Sequence, residues 1–225
     1  MPPVSRLLIA TTNRGKIREI LQILEGSGGG DRIDVTLLTL GDFPSIEPPE
    51  ETGRTFAENA RLKARYYAAA TGVPTVAEDS GLEIDALDGA PGVESARFAG
   101  ADATYPEKFA ELYKRLKASG SPNRSARFVA ALALADPRAA SSTSPGGASS
   151  TRSGAEVPVV FEARGTVEGQ IANAPRGTGG FGYDPIFFYP PFGCTLAEAG
   201  ARKSSVSHRG EAFRALRKYL KEHCN

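Results

Sequence analysis

The sequence predicts a mixed α/β protein, one sheet with helices laid against it. Three observations point there. Short apolar runs alternate with helical patterns through the N-terminal part, which is the signature of βα units. A strand-rich stretch follows, with apolar runs at Ala126–Ala135 and Val159–Ala163, and alternation from Gly165 to Ala172. That break in the βα rhythm argues for a mixed sheet rather than a uniform doubly wound one.

Taken in order, Arg6 to Ala10 reads as a buried strand, and Thr11-Thr12-Asn13-Arg14-Gly15 as the turn into a helix. The helix is expected because Ile17, Ile20, Leu21 and Leu24 fall at i, i+3, i+4 and i+7. Gly26 to Gly30 ends it, and Val35 to Leu40 reads as a second strand, followed by a proline- and acid-rich loop from Gly41 to Gly53. Thr55 and Glu58 have capping-box spacing, so a helix runs from there to about Thr71, where Gly72 stops it. Lys63 shares a face of that helix with Phe56, Ala60 and Tyr67.

The run Val73 to Ala77 then reaches Glu78-Asp79-Ser80-Gly81, read as a strand ending in a tight, solvent-facing turn before Leu82 to Ile84. Ala90-Pro91-Gly92-Val93 is another turn. Thr104 to Glu107 repeats the capping-box pattern and opens a helix that ends near Ser119-Gly120. Residues 137–157, rich in Ser, Thr, Gly and Ala, read as a long mobile hairpin loop. Arg176 to Pro185 is a glycine-dense loop, Ile186 to Tyr189 a short strand, and a short helix is expected near Thr195. Phe213, Leu216 and Leu220 mark a last amphipathic helix.

Length, charge and cysteine use narrow the function classes. A chain of 225 residues buries a sizeable core. A net charge of +1 offers no global field for nucleic acid or an anionic membrane. The apolar run Leu7 to Ala10 is too short for a signal-peptide core, and no segment has the length of a membrane helix. Two cysteines, Cys194 and Cys224, make no disulfide framework and suit a reducing, cytoplasmic setting.

Several stretches carry candidate chemistry, each beside a plainer reading. Carboxylates closing a buried strand, Glu78 and Asp79, suit a divalent cation or a reacting water; adjacent acids are also common in turns. The Ala10–Lys16 strand–turn–helix aims backbone amides at an anion, with Asn13 and Lys16 adding donors, although an ordinary βα turn looks similar. It lacks P-loop spacing. Lys63 is either a solvated lysine or one reaching a buried anion. In the glycine loop Phe181, between Gly180 and Gly182, suits stacking on a base, and Asp184 suits accepting from ring N–H groups. Ser207-His208-Arg209-Gly210 precedes the last helix. Two histidines and no compact Cys/His group disfavour structural zinc, and no nucleophile elbow supports an acyl-serine enzyme.

The motifs are more specific together. Thr11-x-Asn13-x-Gly15-Lys16, then Glu50-Glu51-Thr52-Gly53-x-Thr55-Phe56-x-Glu58-Asn59-Ala60, Leu62-Lys63-Ala64-Arg65 and Glu78-Asp79-Ser80-Gly81-Leu82 follow in order. Gly89-Ala90-Pro91-Gly92-Val93-x-Ser95-Ala96-Arg97, Gly177 to Pro185 and Ser207 to Gly210 complete the series. In this the chain closely resembles the inosine/xanthosine triphosphate pyrophosphatase family, everywhere except residues 26–31 and 137–157.

The resemblance implies a single elongated two-lobed domain over residues 1–225, with an active-site groove between the lobes, and a homodimer. It implies hydrolysis of ITP, dITP and XTP to the monophosphate and pyrophosphate with Mg²⁺. Carried over by position, Thr11, Thr12, Asn13, Arg14, Gly15 and Lys16 hold the phosphates and Lys63 neutralises them. Glu51 and Asp79 lie at the metal, and Asp79 accepts the proton of the attacking water. Ser80 and Gly81 contact substrate, and Phe181 stacks on the purine, with Gly182 beside it. Asp184, Lys203, His208 and Arg209 read its edge, with Ser207 and Tyr183 nearby. Many members of the family have Gly or Ser at Thr12 and Asp at Glu78, which leaves the part Glu78 takes in metal ligation open; Glu50 rivals Glu51. The alternatives are a Maf-type pyrophosphatase and a non-enzymatic nucleotide sensor.

Overall fold

A computed structural model describes residues 4–25, 33–139 and 156–223. The expected glycine stop at 26–30, most of the expected loop at 137–157 and Cys224 lie outside the described residues.

Seven strands, β1 (Arg6–Ile9), β2 (Thr36–Thr39), β3 (Thr75–Ile84), β4 (Ser125–Ala135), β5 (Val159–Ile171), β6 (Phe187–Tyr189) and β7 (Cys194–Thr195), form one sheet. Their order is β2-β1-β3-β4-β5-β6-β7. β1 is parallel to β2 and β3, with Leu8 opposite Thr75, whereas β6 is antiparallel to β5 and β7. The sheet is therefore mixed, as the interrupted βα rhythm predicts. The helices are α1 (Arg14–Glu25), α2 (Phe56–Thr71), α3 (Tyr105–Ser119), the single-turn α4 (Lys203–Val206) and α5 (His208–His223).

The chain divides into two compact units, and β3, β4 and β5 each contribute to both. The first comprises Met1–Asp79, Ala131–Arg164 and Ala212–Asn225. Its strands alternate in side-chain size as well as direction. Leu7, Ile9, Val76, Leu132 and Leu134 pack with Ile20 and Leu24 of α1 and Phe213, Leu216 and Leu220 of α5. The intervening Leu8, Ala77, Ala133 and Ala135 pack with Ala60, Ala64 and Ala68 of α2. Burial on both faces is why these strands read as nearly continuous apolar runs.

Helix α2 begins as its sequence predicts. The Thr55 hydroxyl accepts from the Glu58 amide, and Gly72 closes the helix in the left-handed region at φ 68°. The reciprocal capping-box bond is displaced by one residue, since the Glu58 carboxylate accepts from the Arg54 amide.

The second unit comprises Ser80–Ala130 and Gly165–Glu211. Leu82, Ile84, Phe128, Val167 and Phe187 pack with Phe109, Leu112 and Leu116 of α3. Helix α3 is opened by Glu107, whose carboxylate accepts from the Thr104 amide, and Gly120 closes it at φ 66°.

Three expectations are corrected. Glu78-Asp79-Ser80-Gly81 is not a solvent-facing turn: β3 runs unbroken from Thr75 to Ile84, and Glu78 and Asp79 are buried. Gly81 marks a close approach instead, because a Cβ there would stand 2.3 Å from Ser95 Oγ and 2.6 Å from the Gly92 carbonyl oxygen. Ser95 Oγ in turn accepts from the Leu82 amide. The two runs at 159–163 and 165–172 are a single strand, β5; Gly165 leaves room for the His208 carbonyl, which a Cβ would meet at 2.0 Å. At Thr195 the chain forms strand β7, and the short helix starts only at Lys203.

Candidate active site

In the first unit, strand alternation sorts the acids. Glu78 lies on the Val76 face, toward α1, and its carboxylate is 3.5 Å from Lys16 Nζ. Asp79 lies on the Ala77 face, toward α2, and its Oδ1 accepts from Lys63 Nζ at 3.2 Å. Lys63 Nζ also meets Glu51 Oε1 at 2.9 Å, whereas Glu50 is exposed. Glu51 is thus the acid of that pair that reaches the cluster. Asp79 Oδ2 accepts from Asn59 Nδ2 at 3.1 Å. Asn59 lies one turn before Lys63 on α2; the motif series includes it without a role, and its i, i+4 spacing to Lys63 was the sequence signal for one.

Burial pushes the Asp79 carboxyl above the ordinary carboxylate range, against the opposing charge of Lys63. Burial also works against the Lys63 ammonium, but the negative charges of Asp79 and Glu51 outweigh it and raise its pKa.

The turn before α1 is internally bonded. Asn13 Oδ1 accepts from the amides of Gly15 at 2.9 Å and Lys16 at 3.1 Å, and Thr11 Oγ1 accepts from the Asn13 amide. Two of the amides that the sequence offered to an anion are therefore occupied by the cap, and the Lys16 ammonium is paired with Glu78. Thr12 and Arg14 are exposed beside them.

Among the described residues, no three His, Cys, Asp or Glu side chains form a metal cage. The donor set nonetheless fits magnesium. Glu51 and Asp79 converge on Lys63 Nζ, so two carboxylates, hard oxygen donors, lie on one side of β3. Magnesium is commonly held by one or two carboxylates together with substrate phosphates.

In the second unit, a loop and the start of α5 gather the remaining predicted residues. Gly180, at φ 71°, lets the backbone curl over Asp184; a Cβ there would stand 2.1 Å from Asp184 Oδ2. That oxygen accepts from the Phe181 amide at 2.8 Å and from Lys203 Nζ at 2.5 Å. The Phe181 ring is 36% exposed, with Lys203 Nζ 4.7 Å and Arg209 Cζ 5.6 Å from its centroid. Gly182, also at positive φ, faces Tyr105.

Arg209 is 1% exposed, and its Nη2 donates to Ser80 Oγ at 3.1 Å. His208 stacks on Phe128 with ring centroids 5.0 Å apart. Ser207 Oγ accepts from the Gly210 amide, so it caps α5. Tyr183 sits in the core, its hydroxyl donating to the Ser95 carbonyl at 2.8 Å, and burial raises its pKa. Ser95, which the motif series includes without a role, supports both Gly81's strand and Tyr183.

Two clusters thus emerge, one of carboxylates and ammonium groups, the other of an exposed aromatic ring framed by cations. The sequence model of the Ham1 family matches residues 7–219. The chain is 44% identical over 218 residues to a dITP/XTP pyrophosphatase from Geobacter sulfurreducens, covering 96% of this chain and 97% of that one. It is 45% identical over 218 residues to a dITP/XTP pyrophosphatase from Thermus thermophilus, covering 96% and 92%. The fold is similar to that of a HAM1 protein from Coxiella burnetii, with a TM-score of 0.78 at 37% identity and coverage of 96% and 98%. No helix among the described residues is long and apolar enough to cross a membrane. With its fold and nearly its whole length matched, the chain belongs to the Ham1 family.

Proposed function

We propose that the protein is a nucleoside triphosphate pyrophosphatase that hydrolyses deaminated purine nucleotides, ITP, dITP and XTP, to the monophosphate and pyrophosphate. The names of the full-length relatives support this reading. The observation that carries it is the Glu51–Lys63–Asp79 cluster, in which Lys63 bridges the half-buried Glu51 and the buried Asp79.

Water attacks the α-phosphorus, the bond to the α,β-bridging oxygen breaks, and pyrophosphate leaves. Asp79 takes the proton of the water; burial raises its pKa and makes it a stronger base than an ordinary carboxylate, and the charge of Lys63 opposes that rise. Lys16 and Lys63 carry the negative charge that collects on the leaving pyrophosphate. Asn13 Nδ2 adds a donor, with Thr11, Thr12, Arg14 and Gly15 shaping the turn that presents it. Glu51 and Asp79 would hold Mg²⁺, which when bound acidifies water and polarises phosphate.

In the second cluster Phe181 offers its exposed face for stacking. Arg209, Lys203 and His208 supply donors suited to the 6-keto oxygen of hypoxanthine and xanthine, and adenine's amino group would meet them donor to donor. Asp184 acts through Lys203 and the Phe181 amide, whose positions it sets. Ser80 and Gly81 continue β3 directly from Asp79. Tyr183 and Ser207 support this cluster from within. On the same reading, we propose a cytoplasmic homodimer as the working form.

The test is pyrophosphate release with Mg²⁺ across ITP, dITP, XTP, GTP, ATP and modified pyrimidine triphosphates. Preference for the deaminated purines is expected. Equal rates on ATP and ITP, or tight binding without turnover, would remove the proposal.

A further inference from the structure

We infer that Asn59 is a positioning residue whose single carboxamide orients Asp79 and ties to it the loop that carries Glu51. The inference rests on the roles proposed for Asp79 and Glu51. Asn59 is fully buried, at 0% exposure, in the first turns of α2. Its Nδ2 donates to Asp79 Oδ2 at 3.1 Å, and its Oδ1 accepts from the Gly53 amide at 2.7 Å.

The carboxamide has only one workable orientation. Turned over, it would set its oxygen against a carboxylate and its NH₂ against the Gly53 N–H. It therefore reads both neighbours at once. One consequence concerns Asp79: with Oδ2 held by the amide, the carboxylate cannot rotate, and Oδ1 stays on Lys63 beside Glu51. The other concerns the loop. Gly53 is two residues beyond Glu51, so pinning its amide fixes the backbone from which Glu51 reaches Lys63.

Gly53 is part of the same device. A Cβ there would stand 2.5 Å from Asn59 Oδ1 and 2.8 Å from the Asn59 amide nitrogen. Only glycine lets the loop lie this close to the start of α2. The extended 41–53 loop has few backbone bonds of its own, with Phe43 to Leu40 and Ile46 to Phe43 among those it makes. At the acid end the Asn59 contact attaches its backbone to α2, beside the Tyr66 hydroxyl, which donates to the Glu47 carbonyl, and the Glu51–Lys63 pair.

Two full-length variants separate the arms. Asn59→Leu keeps the volume and removes both hydrogen bonds. Asn59→Asp keeps the acceptor for Gly53 but sets a carboxylate against Asp79. The readouts are Gly53 amide exchange in the metal-free, substrate-free protein, and kcat and KM for ITP. In Asn59→Leu, Gly53 exchange should quicken at least about tenfold. Both variants should lose kcat by about 10- to 100-fold, the scale of a small misplacement of a reacting group. KM should stay within about threefold, since the loss falls on chemistry and not on binding. Asn59→Asp should keep Gly53 protection while losing kcat, which a general loss of structure would not produce. It also decides the matter if the leucine variant does not fold.

Wild-type kcat in either folded variant overturns the inference, as does unchanged Gly53 exchange in Asn59→Leu. Asp79→Asn, assayed alongside, tells the two levels apart. If it is inactive while Asn59→Asp is normal, only the positioning role falls. If Asp79→Asn keeps its activity, the proposed mechanism falls and the inference with it.

Discussion

Replacing Asp79 by asparagine exchanges one carboxylate oxygen for an NH₂ group, in a setting where both oxygens are in use. Asp79 is buried, with Oδ1 facing Lys63 Nζ at 3.2 Å and Oδ2 facing Asn59 Nδ2 at 3.1 Å. Both neighbours are donors. A carboxylate satisfies both, but a carboxamide has one acceptor and one donor group, so either rotamer sets a donor against a donor. Asn59 cannot turn to relieve this without losing the Gly53 amide. One unmatched buried donor costs about 1–3 kcal/mol. At about 2–4 °C per kcal/mol for a chain of this size, Tm should fall by about 2–12 °C.

The catalytic loss should be larger. Without a base at this position kcat should drop at least about 100-fold, equivalent to about 2.7 kcal/mol of barrier. The assay is pyrophosphate release from ITP with Mg²⁺, run well below the lowered Tm, with folding checked by circular dichroism. A kcat within about threefold of wild type in folded protein would refute the role of Asp79. Loss of activity with no change in Tm would leave the chemistry standing and refute the hydrogen-bond account of its setting.

Further expectations concern the neighbouring groups. The positive charge of Lys63 lowers the pKa of Asp79, so Lys63→Gln should raise it further and move the acid limb of the kcat/KM profile to higher pH; a limb that stays or moves down contradicts the pairing. Arg209→Ala should cut kcat/KM for ITP about tenfold more than for ATP, the scale of one lost charged hydrogen bond; equal losses on both nucleotides would take Arg209 out of base reading. Gly81→Ala forces a Cβ against Ser95 and the Gly92 carbonyl. It should cost about 1–3 kcal/mol in urea unfolding, and a neutral result would argue against the close approach.

Much of the α/β pattern was legible because local rules agreed with the tertiary outcome. The capped starts at Thr55 and Thr104, the glycine stops at Gly72 and Gly120, and the spacing of Phe213, Leu216 and Leu220 are each decided within a turn or two of chain. Lys63 could be set beside Phe56 and Ala60 for the same reason: helical periodicity is a local property. The ordered motifs likewise carried the family.

What only the tertiary structure decided involves groups distant in sequence. Gly81 reads as a turn because glycine serves both turns and close approaches, and nothing local reveals that Ser95 Oγ lies against it. Gly165 misleads in the same way, splitting β5 in the sequence pattern although it only makes room for the start of α5. Acids in a polar-looking corner suggest solvent, yet Asp79 is buried because Lys63 and Asn59, sixteen and twenty residues away, compensate it. The fate of Glu78 depended on strand phase: one residue from Asp79, it faces the opposite side of β3 and pairs with Lys16. A sequence shows which residues can hydrogen-bond or carry charge. Which of them share a buried space, and so set each other's orientation and pKa, is determined by packing across the fold.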